Sequence, residues 1–155
     1  MKKSVFYKIT LRLINVIHKI INKDVNLPYL QKKYRAVRGR VIGIHIIHGT
    51  MEIKKYFKIE EGKATMIDDA EADVMMHCSL DTMLNLIKGS IKREYEGRKW
   101  TEFYSPLTAW SEGRLTVDSP KNTESPWLSD LELLSKEIYS QVFSVIREQL
   151  GDKLP

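Results

Sequence analysis

One cysteine, Cys78, occurs in the 155 residues. An internal disulfide is therefore excluded, which fits a reducing compartment. No run approaches the ~18 uncharged apolar residues that a membrane-spanning helix needs. A signal peptide is not expected, because Lys8, Arg12 and Lys19 interrupt the N-terminal apolar stretch. Acidic residues are almost missing from positions 1–40. Eleven lysines and arginines there face a single acid, Asp24, giving +10; the remainder holds fourteen basic and nineteen acidic residues, giving −5. A basic segment on a mildly acidic body implies an anionic partner: phospholipid headgroups, nucleic acid or the body itself.

Catalytic patterns are missing too. There is no phosphate loop, Gly-x-Gly-x-x-Gly or Gly-x-Ser-x-Gly. Asp68, Asp69, Glu71 and Asp73 lack the glycine and closing glutamate of a calcium loop, so they read as a solvated turn. His45 and His48 are three apart, which in a strand sends them to opposite faces. His77 lies on another strand beside Cys78, and neighbours in a strand diverge. Zinc needs three or four converging ligands. We therefore expect no metal, no cofactor, no catalytic residue and no enzymatic activity. The arrangement that would change this is a meeting of His45, His48, His77 and Cys78 across strands. With Val74, Met76 and Cys78 facing the core, His77 falls on the opposite face and Cys78 is a small buried hydrophobe.

What is present is apolar periodicity. From Val5 to Asn22, Phe6, Ile9, Leu13, Val16, Ile17 and Ile20 share one helical face, opposite Lys8, Arg12, Asn15, Lys19 and Asn22. Such a helix packs on its own chain or on a second copy as a homodimer contact. Alternatively it lies on an anionic membrane surface, with Lys8, Arg12 and Lys19 toward the headgroups. Leu27-Pro28 breaks the helix. Period-2 alternation then predicts strands over Arg40–Ile47, Met51–Glu60 and Lys63–Ile67, with turns at His48-Gly49-Thr50 and Glu61-Gly62. A fourth strand is Ala72–Cys78. Ser79 and Gly89 bracket a helix with Leu80, Met83, Leu84 and Ile87 on one face. Ser90–Tyr104 has no regular pattern. Its Lys92, Arg93, Arg98 and Lys99 beside Tyr95, Trp100, Phe103 and Tyr104 suit a lid, a headgroup contact or, less favoured, nucleic acid. Pro106 opens a helical turn, Arg114–Asp118 is a fifth strand, and Trp127–Leu150 is a closing helix with Trp127, Leu131, Leu134, Ile138, Val142 and Val145 on one stripe.

Strands in a run with helices apart predict an α+β domain. The order matters most between Ala72 and Asp118. An apolar strand (Ala72-Asp73-Val74-Met75-Met76-His77-Cys78) is followed by a capped amphipathic helix. Then come Pro106-Leu107-Thr108-Ala109-Trp110 and Gly113-Arg114-Leu115-Thr116-Val117. This order resembles the sterol carrier protein type 2 (SCP-2-like) lipid-binding family. The resemblance implies a five-stranded, largely antiparallel sheet covered by helices on one face. It implies a domain over 39–151 with residues 1–38 as a basic helical extension. It also implies a hydrophobic tunnel for a fatty acyl, isoprenoid or sterol-like ligand, lined by Val74, Met76, Met83, Leu84, Ile87, Trp110, Leu115, Leu131, Leu134 and Ile138. Binding or transfer without catalysis, in the cytoplasm and peripheral to a membrane, is the function expected. The alternative is a closed-core accessory protein for membrane lipid-synthesis enzymes.

Overall fold

The computed structural model describes residues 1–33, 40–121 and 141–150. Helices α1 (Lys3–Asp24) and α2 (Leu27–Lys33) precede strands β1 (Arg40–His48), β2 (Met51–Glu60), β3 (Lys63–Ile67) and β4 (Val74–Ser79). Helix α3 (Leu80–Lys88), strands β5 (Ser90–Tyr95) and β6 (Arg98–Phe103), helix α4 (Pro106–Ser111) and strand β7 (Leu115–Asp118) follow. Residues 141–150 form the last helical segment, α5.

The sheet order is β3-β2-β1-β4-β7. Only β1 and β4 run parallel; the other pairs are antiparallel. Alternation sorts the faces as expected. Ile42, Ile44 and Ile46 pack inward with Ile53, Phe57, Ile59, Val74, Met76, Cys78 and Leu115, beneath α1, α3 and α5 in one continuous core. His45, Lys54, His77 and Thr116 occupy register positions on the opposite face. The expected α+β fold with helices on one face is thus the one observed.

Local chemistry sets the element ends. The Ser79 hydroxyl accepts from Thr82 N at 3.0 Å and caps α3. Gly89 closes the helix in the left-handed region, φ 74°, donating to Asn85 O at 2.8 Å. Ser105 caps α4 in the same way, accepting from Thr108 N at 3.2 Å.

Three expectations are refined. Of the readings open to the N-terminal helix, packing on its own chain is the one observed. Phe6, Leu13, Ile14, Ile17 and Ile20 of α1 are buried in the same core as the sheet. The apolar face that the sequence offers to a membrane or a second subunit is occupied internally. Asn22, expected on the solvated face, grips the edge of β3: Asn22 Nδ2 donates to Ala64 O at 2.9 Å and Ala64 N donates to Asn22 Oδ1 at 2.8 Å. A single amide side chain thereby completes part of a strand ladder. Lys8, Arg12, Asn15, Lys19 and Asn22 are exposed as predicted, whereas Ile9, expected on the apolar face, is 41% exposed.

The second correction concerns Ser90–Tyr104, which is a β-hairpin rather than an irregular loop. Glu96 and Gly97 turn it with φ of 49° and 78°, the left-handed pair that matches strand twist. Periodicity missed it because Ile91 is the sole buried residue along β5 and β6. The base is held instead by charge. Arg93 Nε donates to Glu102 at 2.7 Å, and both terminal nitrogens of its guanidinium reach Glu112 beyond α4. These hydrogen bonds hold the carboxyls of Glu102 and Glu112 below their ordinary range. The third correction is within α3: Leu84 is half-buried, whereas Leu86 is fully buried. Trp127, Leu131, Leu134 and Ile138 lie outside the described residues, so of the six-residue closing stripe only Val142 and Val145 are described.

A candidate apolar cavity beneath the sheet

A cavity of about 50 Å³ lies between the inner face of the sheet and the helices. Strands contribute Ile42 and Ile44 of β1, Phe57 and Ile59 of β2, Ala64 of β3 and Met76 of β4. Helices contribute Ile17 and Ile21 of α1, Leu27 of α2, Met83 of α3, and Val142, Phe143 and Ile146 of α5. Every lining side chain is apolar. The site can do one thing chemically, which is to remove hydrocarbon from water.

Of the residues predicted for a lipid tunnel, Met76 and Met83 meet on this wall. Val74, Ile87 and Leu115 are buried in the surrounding core but do not line it. Leu84 and Trp110 are half-buried against that core. Leu131, Leu134 and Ile138 lie outside the described residues. The cavity was expected against α3, yet Met83 is the only α3 residue on its wall. The missed lining came from β1, β2, α1 and α5. Its signal was visible as the inward Ile42-x-Ile44 alternation and the Ile17–Ile21 stripe, but nothing in the sequence says that these two surfaces face each other.

The polar residues divide between the two faces. His48 points toward α1, its ring stacked on Phe6 with centroids 6.1 Å apart. His45 and His77 do meet across strands on the outer face, with Nδ1 atoms 2.8 Å apart. Cys78 is not with them. It is 4% exposed on the inner face, and burial pushes its thiol up to about 12. A nucleophilic Cys–His pair therefore does not form. Among the described residues, no three His, Cys, Asp or Glu side chains are grouped to hold a metal. We expect Cys78 to resist thiol reagents in the folded protein and to react only on unfolding, since the thiolate is the reactive form. Labelling by a maleimide within seconds under native conditions would contradict this placement.

No protein-family model and no curated protein matches the chain. Solved structures do match. The sterol carrier protein domain 2 of Helicoverpa armigera superposes with a TM-score of 0.55 at 14% identity, covering 86% of this chain and 87% of that one. The chain has the SCP-2-like fold. The apo form of sterol carrier protein 2 from Yarrowia lipolytica gives a TM-score of 0.50 at 11% identity, covering 87% of this chain and 89% of that one. At such identities the likeness is one of fold, and the SCP-2-like architecture accounts for the helices gathered on one face above an apolar floor. Among the described residues, no helix is long and apolar enough to cross a membrane.

Proposed function

We propose that the protein binds an apolar chain, such as a fatty acyl or isoprenoid group, between the sheet and helices α1, α3 and α5, and that it catalyses no reaction there. The observation that carries this reading is a cavity with no polar side chain in its wall, at the centre of an SCP-2-like fold. Each methylene moved from water into it contributes about 0.8 kcal/mol. At about 50 Å³ the space is far below the roughly 300–1,000 Å³ of ordinary ligand pockets. Uptake therefore requires the wall to give way. Met76 and Met83 supply flexible side chains for that. Lys8, Arg12 and Lys19 on the exposed side of α1, beside exposed Val5 and Ile9, supply a peripheral contact with an anionic membrane surface.

The small volume also favours a second reading, in which the core stays closed and the protein serves as an accessory partner of membrane lipid-synthesis enzymes. Titration with a fluorescent fatty acid separates the two. Under the first reading the parent protein binds the probe saturably. The substitution Met83→Trp fills the cavity and weakens binding at least tenfold while the protein still melts cooperatively. Absence of saturable binding by the parent leaves the closed-core reading. Equal binding by the variant would move the ligand elsewhere.

A further inference from the structure

The outer face of the sheet carries one line of hydrogen bonds across four strands. His45 of β1 and His77 of β4 are register partners on the sheet's single parallel seam. Their rings meet nearly perpendicular, with centroids 5.1 Å apart, and Nδ1 faces Nδ1 at 2.8 Å. The two Nε2 atoms each meet a carboxylate: Glu52 of β2 at 2.6 Å from His45, and Asp118 of β7 at 3.0 Å from His77. Among the described residues, Lys54 of β2, register partner of His45, adds a positive charge on the same face. Thr116 of β7 and Ser79 of β4 are the pair's neutral neighbours by register.

Proton counting follows from this geometry. A carboxylate only accepts, so each Nε2 carries a proton. Two Nδ1 atoms at 2.8 Å need one proton between them, since two lone pairs or two N–H groups would repel. Two imidazoles thus hold three protons and one positive charge, flanked by the two negative charges of Glu52 and Asp118. The hydrogen bond with His45 holds the Glu52 carboxyl below its ordinary range.

We infer that His45 and His77 share one charge and form a two-sided pH latch on the β1–β4 seam. A further proton sets N–H against N–H. Loss of a proton leaves two for three positions, so a lone pair faces either the other Nδ1 or a carboxylate. The latch is closed only between these limits. Acid favours the open state because it binds the extra proton; base favours it because it releases one of the three. The consequence reaches the other side of the sheet. Ile44 and Met76, adjacent to His45 and His77 in the chain, are themselves register partners, and both line the apolar cavity. An open latch loosens the cavity floor. This last step rests on the proposed lipid-binding function; the proton count and the seam do not.

The experiment uses the full chain with ¹⁵N-labelled histidine. Long-range ¹H–¹⁵N correlation across pH is expected to show both Nε2 atoms protonated, one proton shared by the Nδ1 pair, and the two rings changing in common steps. Independent titration of His45 and His77, or two neutral rings throughout, would overturn the latch. Protection of the Ile44 and Met76 amides, taken relative to the intrinsic exchange rate at each pH, is expected to fall about tenfold on both sides of the closed window, the effect of losing one charged hydrogen bond. In His77→Gln, which keeps a hydrogen-bonding side chain but cannot take the charge, and in His45→Gln, that pH dependence disappears. If that protection in the parent is flat with pH, the latch fails whatever the protein binds. If exchange follows the window but no apolar probe binds at any pH, the latch stands and the proposed function fails.

Discussion

A chain lacking residues 1–24 will not fold cooperatively. Phe6, Leu13, Ile14, Ile17 and Ile20 are each at most 8% exposed. Burying side chains of this kind is worth roughly 1.5–3 kcal/mol apiece. Their sum is on the order of 10 kcal/mol, comparable with the whole net stability of a domain, about 5–15 kcal/mol. Truncation also uncovers the inner face of β2 and β3 and removes the Asn22–Ala64 hydrogen bonds. Circular dichroism with urea titration is the measurement, and the expected result is loss of the transition. The milder variant Phe6→Ala removes a ring with no solvent exposure and is expected to cost about 3–5 kcal/mol. Lys8→Ala, on the exposed side of the same helix, is expected to change stability by less than about 0.5 kcal/mol. A truncated protein with an intact sigmoidal transition would show that α1 is an appendage after all.

Phe57→Ala should destabilise the empty protein and improve it as a receptor. Phe57 is 4% exposed and stands on the cavity wall. Removing the ring costs about 3–5 kcal/mol of stability, part of it for the space left behind. That space is what an apolar ligand has to create in the parent. Without ligand, the melting temperature of the variant falls by many degrees. With a saturating fatty acid it recovers, because a ligand that binds only the folded state adds about 2.7 kcal/mol at a hundredfold excess over its Kd. The parent shows a smaller ligand-induced shift. Differential scanning calorimetry with and without the fatty acid reads both effects. A variant destabilised to the same degree in both conditions would argue for the closed-core reading.

Much of this architecture was legible in the chain. The strands from Arg40 to Ile67 follow period-2 alternation because one face is buried and the other wet, so each side chain reports its own environment. The helix from Leu80 to Gly89 announces itself through its caps, which are local chemistry between Ser79 and Thr82 and between Gly89 and Asn85. The hairpin from Ser90 to Phe103 was silent, since its order comes from a turn of two left-handed residues and from Arg93 bridging to Glu102 and Glu112 rather than from an apolar stripe. Glu112 lies nineteen residues beyond Arg93, and no local pattern links two charges at that distance.

The periodicity of the chain marks which faces are apolar. It set the helical stripe of α1, the inward isoleucines of β1, the burial of Cys78 and the outward position of His77. Only the tertiary structure decided what those faces meet. It brought the stripe of α1 onto the chain's own sheet instead of a membrane or a second copy. It placed Ile17 and Ile21 opposite Ile42 and Ile44 across a cavity, and it aligned His45 with His77 on a parallel seam. The physical reason is that burial is non-directional: periodicity records that a surface leaves water, while the identity of its partner depends on long-range packing and register.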